Sequence, residues 1–238
     1  LRFFACGGAS VPPTLIHDVH NTLENCRAFR VYGCTEAPLI TVGFIRPEDA
    51  QLAATTDGLI SHWDVKVVDD EGNTLAQGLD GELLVKGPAL MLGYGEEEQT
   101  RQSMDNHGYF QTGDIGHISA EGAIIITDRK KDIIIRGGEN ISAREIEDVL
   151  HQHALISEAA VVAMPHPRLG EGVCACLVTK NAAVITLADL TLFFEKSGLA
   201  KQKWPQRIEL CDELEKTASG KVRKDVLRFK VKTLVEAK

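Results

Sequence analysis

The apolar residues of this 238-residue chain change their period twice, near residue 57 and again near residue 128. Strands repeat their apolar residues every two positions and helices every three or four, so no single fold class satisfies all three stretches. Before residue 57 the order is strand, glycine turn, helix, strand. LRFFACGGA runs an apolar strand into two glycines, and VPPTLIHDVHNTLEN carries its prolines where the first turn of a helix tolerates them. AFRVYG is a strand that ends at Gly33. This order predicts an α/β layer with parallel strands.

From about 57 the residues alternate. DVKVVDDEGNTLAQGLDGELLVKGPAL has glycine turns at 72, 78 and 81, and HGYFQTGDIGHISAEGAIIITD continues the pattern with a hairpin at Ala120–Gly122. Short antiparallel strands forming a small barrel or sandwich are expected. After Asp128, helices and strands interleave. Ser142 and Glu145 form a capping box for ISAREIEDVLHQH, whose apolar stripe is Ile146, Val149 and Leu150. EAAVVAMP, GVCACLVTK and RIELCD read as strands. Thr186 caps the helix LADLTLFFEKSG, Gly198 ends it, and KDVLRFKVKTLVEA is a last amphipathic helix. The expected division is therefore 1–128, comprising an α/β part (1–56) and a barrel-like part (57–128), followed by a small α+β domain over 129–238. The boundary falls in the charged turn 128–132.

Composition narrows the function classes. Apolar residues make up 44% and charged residues 25%, as in an ordinary soluble protein. No apolar run approaches the ~20 residues of a membrane-spanning helix. LRFFACGG lacks the basic start and long apolar core of a signal peptide. The six cysteines form no CxxC pair, and Cys174 and Cys176 alternate along a strand, so reduced core thiols of a cytoplasmic protein are expected. His151 and His153 are two apart and point different ways on a helix, which argues against a metal role. The net charge of −8 argues against nucleic acid as a partner. Small anionic ligands remain open, because cations are concentrated at Arg129, Lys130, Lys131 and Arg136 and again at Lys221, Arg223 and Lys224.

Four short stretches could carry chemistry. VYGCTEA (31–37) sits at a strand's C-terminal end, where α/β sheets bind ligands. Tyr32 offers an aromatic face, Gly33 lets backbone approach, Thr35 offers a hydroxyl, and Glu36 is a hard oxygen ligand suited to Mg²⁺. A strand followed by a turn with an exposed acid fits the same heptapeptide. QTGD (111–114) puts an acid after a glycine at a strand end, where a carboxylate can accept two hydrogen bonds from a ribose diol or simply form a turn. TASGKVRK (217–224) puts Lys221 after a small flexible loop, as a mobile point charge for an anion or as a solvated side chain. ACGGAS (5–10) is a weak phosphate loop, but its backbone could wall a flat ring.

Taken in order, GGA, YGCTE, TGD, DRKKDIIIRGGENISAREIE and TASGKVRK resemble the adenylate-forming (AMP-binding) superfamily of acyl-CoA synthetases, peptide-synthetase adenylation domains and luciferases. The resemblance covers essentially the whole chain. The FFACGG and RGGENIS forms look most like bacterial short- or medium-chain fatty acyl-CoA synthetases, with cyclohexanecarboxylate–CoA ligases close by.

The resemblance implies a two-step reaction with ATP, Mg²⁺ and coenzyme A: acyl-adenylate forms first, then the acyl-CoA thioester, with a rotation of the small domain between them. It implies that Tyr32 stacks on adenine and that Gly8, Ala9, Gly33 and Ile126 line the nucleotide pocket. Thr35 would hold the α-phosphate, Glu36 the Mg²⁺, and Asp114 and Arg129 the ribose. Lys131 would be the hinge, Gly137 and Gly138 would let pantetheine pass, and Lys221 would bridge the acyl carboxylate and the phosphate. In the family a phosphate loop lies upstream of GGA, so the chain reads as the last half or less of an enzyme, with the preceding part of its own protein as a partner. Bared sheet edges predict self-association into a homo-oligomer. Ala37, Pro38 and Leu39 disfavour an amino-acid substrate. Two other readings stay open: an aryl-acid CoA ligase or carrier-protein-loading enzyme, and a non-catalytic chain that binds AMP or CoA.

Overall fold

A computed structural model describes residues 1–9, 11–218 and 220–236. Ser10, Ser219 and Ala237, which fall in the expected glycine turn, lysine loop and last helix, lie outside them. The chain divides into two compact units, Leu1–Lys130 and Lys131–Lys238.

In the first unit β1 (Phe3–Cys6), α1 (Pro13–Thr22) and β2 (Arg27–Arg30) form a parallel strand–helix–strand unit, with Phe3 opposite Arg27 and Cys6 opposite Arg30. Proline opens α1, where a missing N–H costs nothing. The helix buries Ile16 against Cys6, Val11, Ala28 and Ala54, the last from α2 (Ala50–Thr55). Between β2 and α2 lies β3 (Thr41–Val42), which pairs with β4 (Leu59–Ile60).

The alternating stretch forms β5 (Asp64–Val68), β6 (Gly81–Lys86), β7 (Phe110–Ile118) and β8 (Ile124–Arg129), an antiparallel meander paired in chain order, with α3 (Glu97–Gln102) between β6 and β7. Val67, Leu83, Val85, Phe110 and Ile124 turn to one face and pack with Trp63, Ala37 and Ile40. The small barrel expected from the sequence is corrected here: the sheet is open. Closure would need β8 to pair with β5, but residues 57–59 lie on the edge of β8. Asp57 N–H donates to Ile124 O (2.7 Å), Ile124 N–H donates to Gly58 O (2.9 Å), and Leu59 bridges Ala123.

The second unit is a five-stranded sheet of β9 (Ile134–Arg136), β10 (Glu139–Ile141), β11 (Ile156–His166), β12 (Gly170–Thr179) and β13 (Arg207–Leu210), with α4 (Ala143–Leu150), α5 (Leu187–Ser197) and α6 (Lys224–Glu236). Period-two alternation gives the sheet two apolar faces. Val161, Val173, Ala175 and Leu177 pack with Ile146 and Leu150 of α4 and with Leu190 and Phe194 of α5. Ala160, Val162, Cys174 and Cys176 pack with Leu227 and Val231 of α6. Cys174 and Cys176 thus share one face, and all six cysteines are free thiols. The helix signals act locally as the sequence suggests. Ser142 Oγ accepts from Glu145 N–H at 3.1 Å, Thr186 and Asp189 close a capping box, and Gly198 ends α5 at φ 80°. Among the described residues no helix is long and apolar enough to cross a membrane.

Candidate functional site

The side chains of Tyr32, Asp114 and Arg129 meet by direct hydrogen bonds. Tyr32 Oη donates to Asp114 Oδ2 at 2.7 Å, and Arg129 Nε donates to Asp114 Oδ1 at 2.7 Å. The backbone explains the meeting. Asp114 and Arg129 are cross-strand partners on β7 and β8. Asp114 does not sit at a strand end, as the sequence suggested, but inside β7 at a bulge: Glu82 faces Ile115 while Leu84 faces Gln111. Gly113 takes a φ of +68° there, and a Cβ would meet nothing within 4 Å, so the requirement for glycine is torsional. Thr112 Oγ1 fixes the bulge by donating to Leu83 O (2.8 Å) and accepting from Asp114 N–H (3.1 Å). Burial pushes the Tyr32 phenol well above its usual range, and the Asp114 charge adds to this. The phenol is therefore a fixed donor.

Glu36 lies in the turn after β2, and its Oε1 accepts from Tyr94 Oη at 2.8 Å. Burial opposes ionisation of Glu36, but the Tyr94 bond, backbone and Cys34 bonds and the charge of Arg129 outweigh it, so the carboxyl titrates below its usual range. Tyr94 is pushed up to about 12 by burial and by its bond to Glu36. Burial likewise pushes the Cys34 thiol up to about 11. Thr35 is exposed in the same turn. Gly33 has no room for a side chain, since a Cβ would lie 2.6 Å from Leu39 N. The turn after β1 lies alongside: Val31 N–H donates to Cys6 O (2.9 Å), and a Cβ on Gly7 would lie 2.6 Å from Val31 O. Gly8 follows at φ +77°, and Ala9 is exposed.

Sequence reasoning missed the support beneath these groups. Arg30, only 4% exposed, donates through Nε to Asp57 Oδ1 (3.0 Å) and through Nη1 to Ala54 O (3.2 Å). Asp57 Oδ2 accepts from Ile126 N–H at 2.9 Å. Thr41 Oγ1 accepts from Tyr32 N–H at 2.7 Å and donates to Asp57 O. Asp57 thus orders both neighbours, the backbone of Tyr32 through its own carbonyl and Thr41, and the β8 position of Ile126 through its carboxylate. An Arg in an otherwise apolar strand, AFRV, was the available signal for a buried partner. For Tyr94 the signal was an aromatic residue held between two glycines.

The remaining candidates lie in the second unit. Lys131 is its first residue and is exposed. Gly137 and Gly138 form the two-residue loop of the β9–β10 hairpin, with φ of +61° and +90° and with Arg136 facing Glu139. Such a loop needs positive φ at both central positions, so the double glycine already has a local cause. Lys221 is exposed on a tight turn closed by Thr217 N–H to Lys221 O (2.8 Å) and Gly220 N–H to Thr217 O (2.9 Å). Among the described residues no group of three His, Cys, Asp or Glu side chains could hold a metal ion unaided. Glu36, held ionised, fits one protein ligand of a Mg²⁺ that carries other oxygens of its own.

A carboxylate clamped by a phenol and a guanidinium cannot rotate, and its remaining lone pairs are pre-set acceptors for paired hydroxyls. Comparison with known proteins gives this geometry a context. The family model described as AMP-binding enzyme matches residues 1–95, and that described as AMP-binding enzyme C-terminal domain matches residues 145–221. A medium-chain fatty-acid–CoA ligase of Escherichia coli K12 is 39% identical over 96% of this chain and 40% of its own length. The vibriobactin-specific 2,3-dihydroxybenzoate-AMP ligase of Vibrio cholerae is 37% identical over 98% of this chain and 43% of its own. ATP-bound MatB from Rhodopseudomonas palustris superposes with a TM-score of 0.88 at 30% identity, covering 98% of this chain and 46% of that one. The chain therefore spans less than half the length of the relatives it matches. Both of its units carry the family's sequence and fold, and the chain belongs to the adenylate-forming superfamily of AMP-binding enzymes.

Proposed function

We propose that the chain forms part of an ATP-dependent acid–CoA ligase that activates a short- or medium-chain fatty or alicyclic carboxylic acid. The observation that carries this reading is the Tyr32–Asp114–Arg129 cluster with ionised Glu36 beside it. It provides an aromatic wall, a diol acceptor and a hard cation ligand in one place, the features a nucleoside triphosphate requires. The 39% identity to a medium-chain fatty-acid–CoA ligase favours an aliphatic acid. The almost equal likeness to a dihydroxybenzoate-AMP ligase makes an aryl acid the second reading.

In the first step a carboxylate oxygen attacks the α-phosphorus of ATP, the bond to the bridging oxygen breaks, and pyrophosphate leaves. In the second step the sulfur of CoA attacks the acyl carbon, AMP leaves with the bonding electron pair, and the thiol proton passes to solvent. Tyr32, Gly33, Gly8, Ala9 and Ile126 would bound the base and ribose, with Asp114 and Arg129 on the hydroxyls. Thr35 would donate to the α-phosphate. Glu36 would hold a Mg²⁺, which would supply charge neutralisation there. Lys221 would place its ammonium between the carboxylate and the phosphate, where negative charge develops in the first step only. Gly137 and Gly138 would border the pantetheine, and Lys131 would absorb the rotation between steps.

The two steps separate experimentally. In the protein carrying its natural upstream sequence, Lys221→Ala should abolish acyl-adenylate formation while sparing conversion of supplied acyl-adenylate to acyl-CoA. Equal loss of both steps would remove the assigned role.

A further inference from the structure

Two ion pairs stand on either side of the single residue at which the chain enters its second unit, and the proposed reaction uses neither. Before it, Lys130 Nζ donates to Glu82 Oε2 at 2.8 Å, within the first unit. The Glu82 side chain is 9% exposed, and its other oxygen accepts from Gly113 N–H at 3.3 Å, at the bulge that presents Asp114. After it, Arg228 Nη1 of α6 donates to Asp132 Oδ1 at 2.8 Å and to Lys131 O at 3.3 Å, within the second unit. The Asp132 side chain is 10% exposed. Lys131 lies between two anchored neighbours, with an exposed side chain.

We propose that these two ion pairs confine bending of the link to the backbone of Lys131, with Glu82 and Arg228 as positioning residues for the rotation. A link free at three residues spreads its motion over six torsions and many orientations. Anchoring Lys130 on one side and the Lys131 carbonyl and Asp132 on the other leaves chiefly φ and ψ of Lys131, which suits a hinge that alternates between two discrete states. It also separates the roles of two adjacent lysines: Lys130 is an anchor and Lys131 is the moving joint. The inference rests on the proposed two-step reaction for its purpose, but the confinement can be measured without it.

The test is amide hydrogen exchange at single-residue resolution over residues 128–135. Wild-type protein is compared with Glu82→Gln, which keeps an oxygen for Gly113 N–H, with Arg228→Gln, and with the charge swap Asp132→Arg plus Arg228→Asp. Exchange in wild type should peak at Lys131. Glu82→Gln should speed Lys130, and Arg228→Gln should speed Asp132 and Ile133, each about fivefold, the loss expected for one ion pair of modest worth. Amides of β7 and β11 should not change, and the swap should recover only the part carried by the ion pair, because Arg228→Asp removes the donor to Lys131 O. In the protein with its upstream sequence, acyl-CoA turnover should fall in both single variants while the burst of acyl-adenylate holds. Variants that exchange as wild type does, or that speed up uniformly across a whole unit, would overturn the proposal. A wild-type protein with the expected exchange pattern but no acyl-adenylate would leave the confinement standing and sink the ligase reading.

Discussion

Replacing Asp57 by alanine should cost the first unit about 3–5 kcal/mol, the usual loss when one partner of a buried ion pair is removed. The size follows from what remains. Arg30 is 4% exposed and would keep only its bond to Ala54 O, leaving a buried guanidinium without its counter-charge. Ile126 N–H would also lose its acceptor. That second loss alone is worth about 1–3 kcal/mol, and it sets the floor for the double variant Asp57→Ala, Arg30→Met. Removing the cation together with the anion takes away the stranded charge, so the double variant should be more stable than Asp57→Ala. The assay is urea unfolding in a Trp204→Phe background, where Trp63 alone reports on the first unit. A loss below about 1 kcal/mol for Asp57→Ala, or a double variant as damaged as the single, would refute the reasoning.

Two further predictions use the same site. All three tyrosines donate to a carboxylate, Tyr32 to Asp114, Tyr94 to Glu36 and Tyr109 to Asp64, and all three are raised above the ordinary phenol range. Phenolate absorbance of the folded protein at pH 10 should therefore lie below that of the denatured protein at the same pH. The stability linked to Tyr94 is fully present below the unfolded phenol pKa and is lost as pH rises through about 12. Glu36 acts in the opposite direction: its contribution is present above the ordinary carboxylate range and is lost as pH falls through its lowered pKa. Tyr94→Phe should weaken both effects, and a pH–stability profile unchanged by that substitution would contradict the assignment. Among the glycines, Gly113→Ala should cost only about 1–2 kcal/mol, the torsional penalty of positive φ. Gly33→Ala should cost more, because its Cβ would meet backbone at 2.6 Å. Thermal melts that reverse this order would refute the structural reading of the two turns.

Much of the fold could be read from the sequence because its signals are local. The proline start of α1, the Thr186 cap, the Gly198 stop and the alternation of Cys174 and Cys176 each act within a few residues, and each appears in the structure as expected. Barrel closure was misread because it depends on what covers a distant edge: residues 57–59 take the edge of β8, and nothing in the β8 sequence records that. Asp114 was found by its motif, but its setting was not. A bulge is a mismatch between two strands, and one strand's sequence shows only a glycine. Arg30 and Asp57 escaped notice for a related reason. They stand 27 residues apart, and the pairing becomes visible only when β2, α2 and β8 are brought together. The double glycine at 137–138 carries the reverse lesson. The resemblance offered a functional cause, while the hairpin supplies a sufficient backbone cause of its own.

The most direct test of the account is acyl-CoA formation followed by mass spectrometry. The protein carrying its natural upstream sequence would receive ATP, Mg²⁺, CoA and a panel of straight-chain, alicyclic and aryl acids, beside the same protein with Asp114→Ala. The account predicts acyl-CoA and AMP from aliphatic acids of short or medium chain with the first protein, and little or none with the second. Acyl-adenylate that never passes to CoA, a clear preference for aryl acids, or turnover indifferent to Asp114→Ala would contradict it.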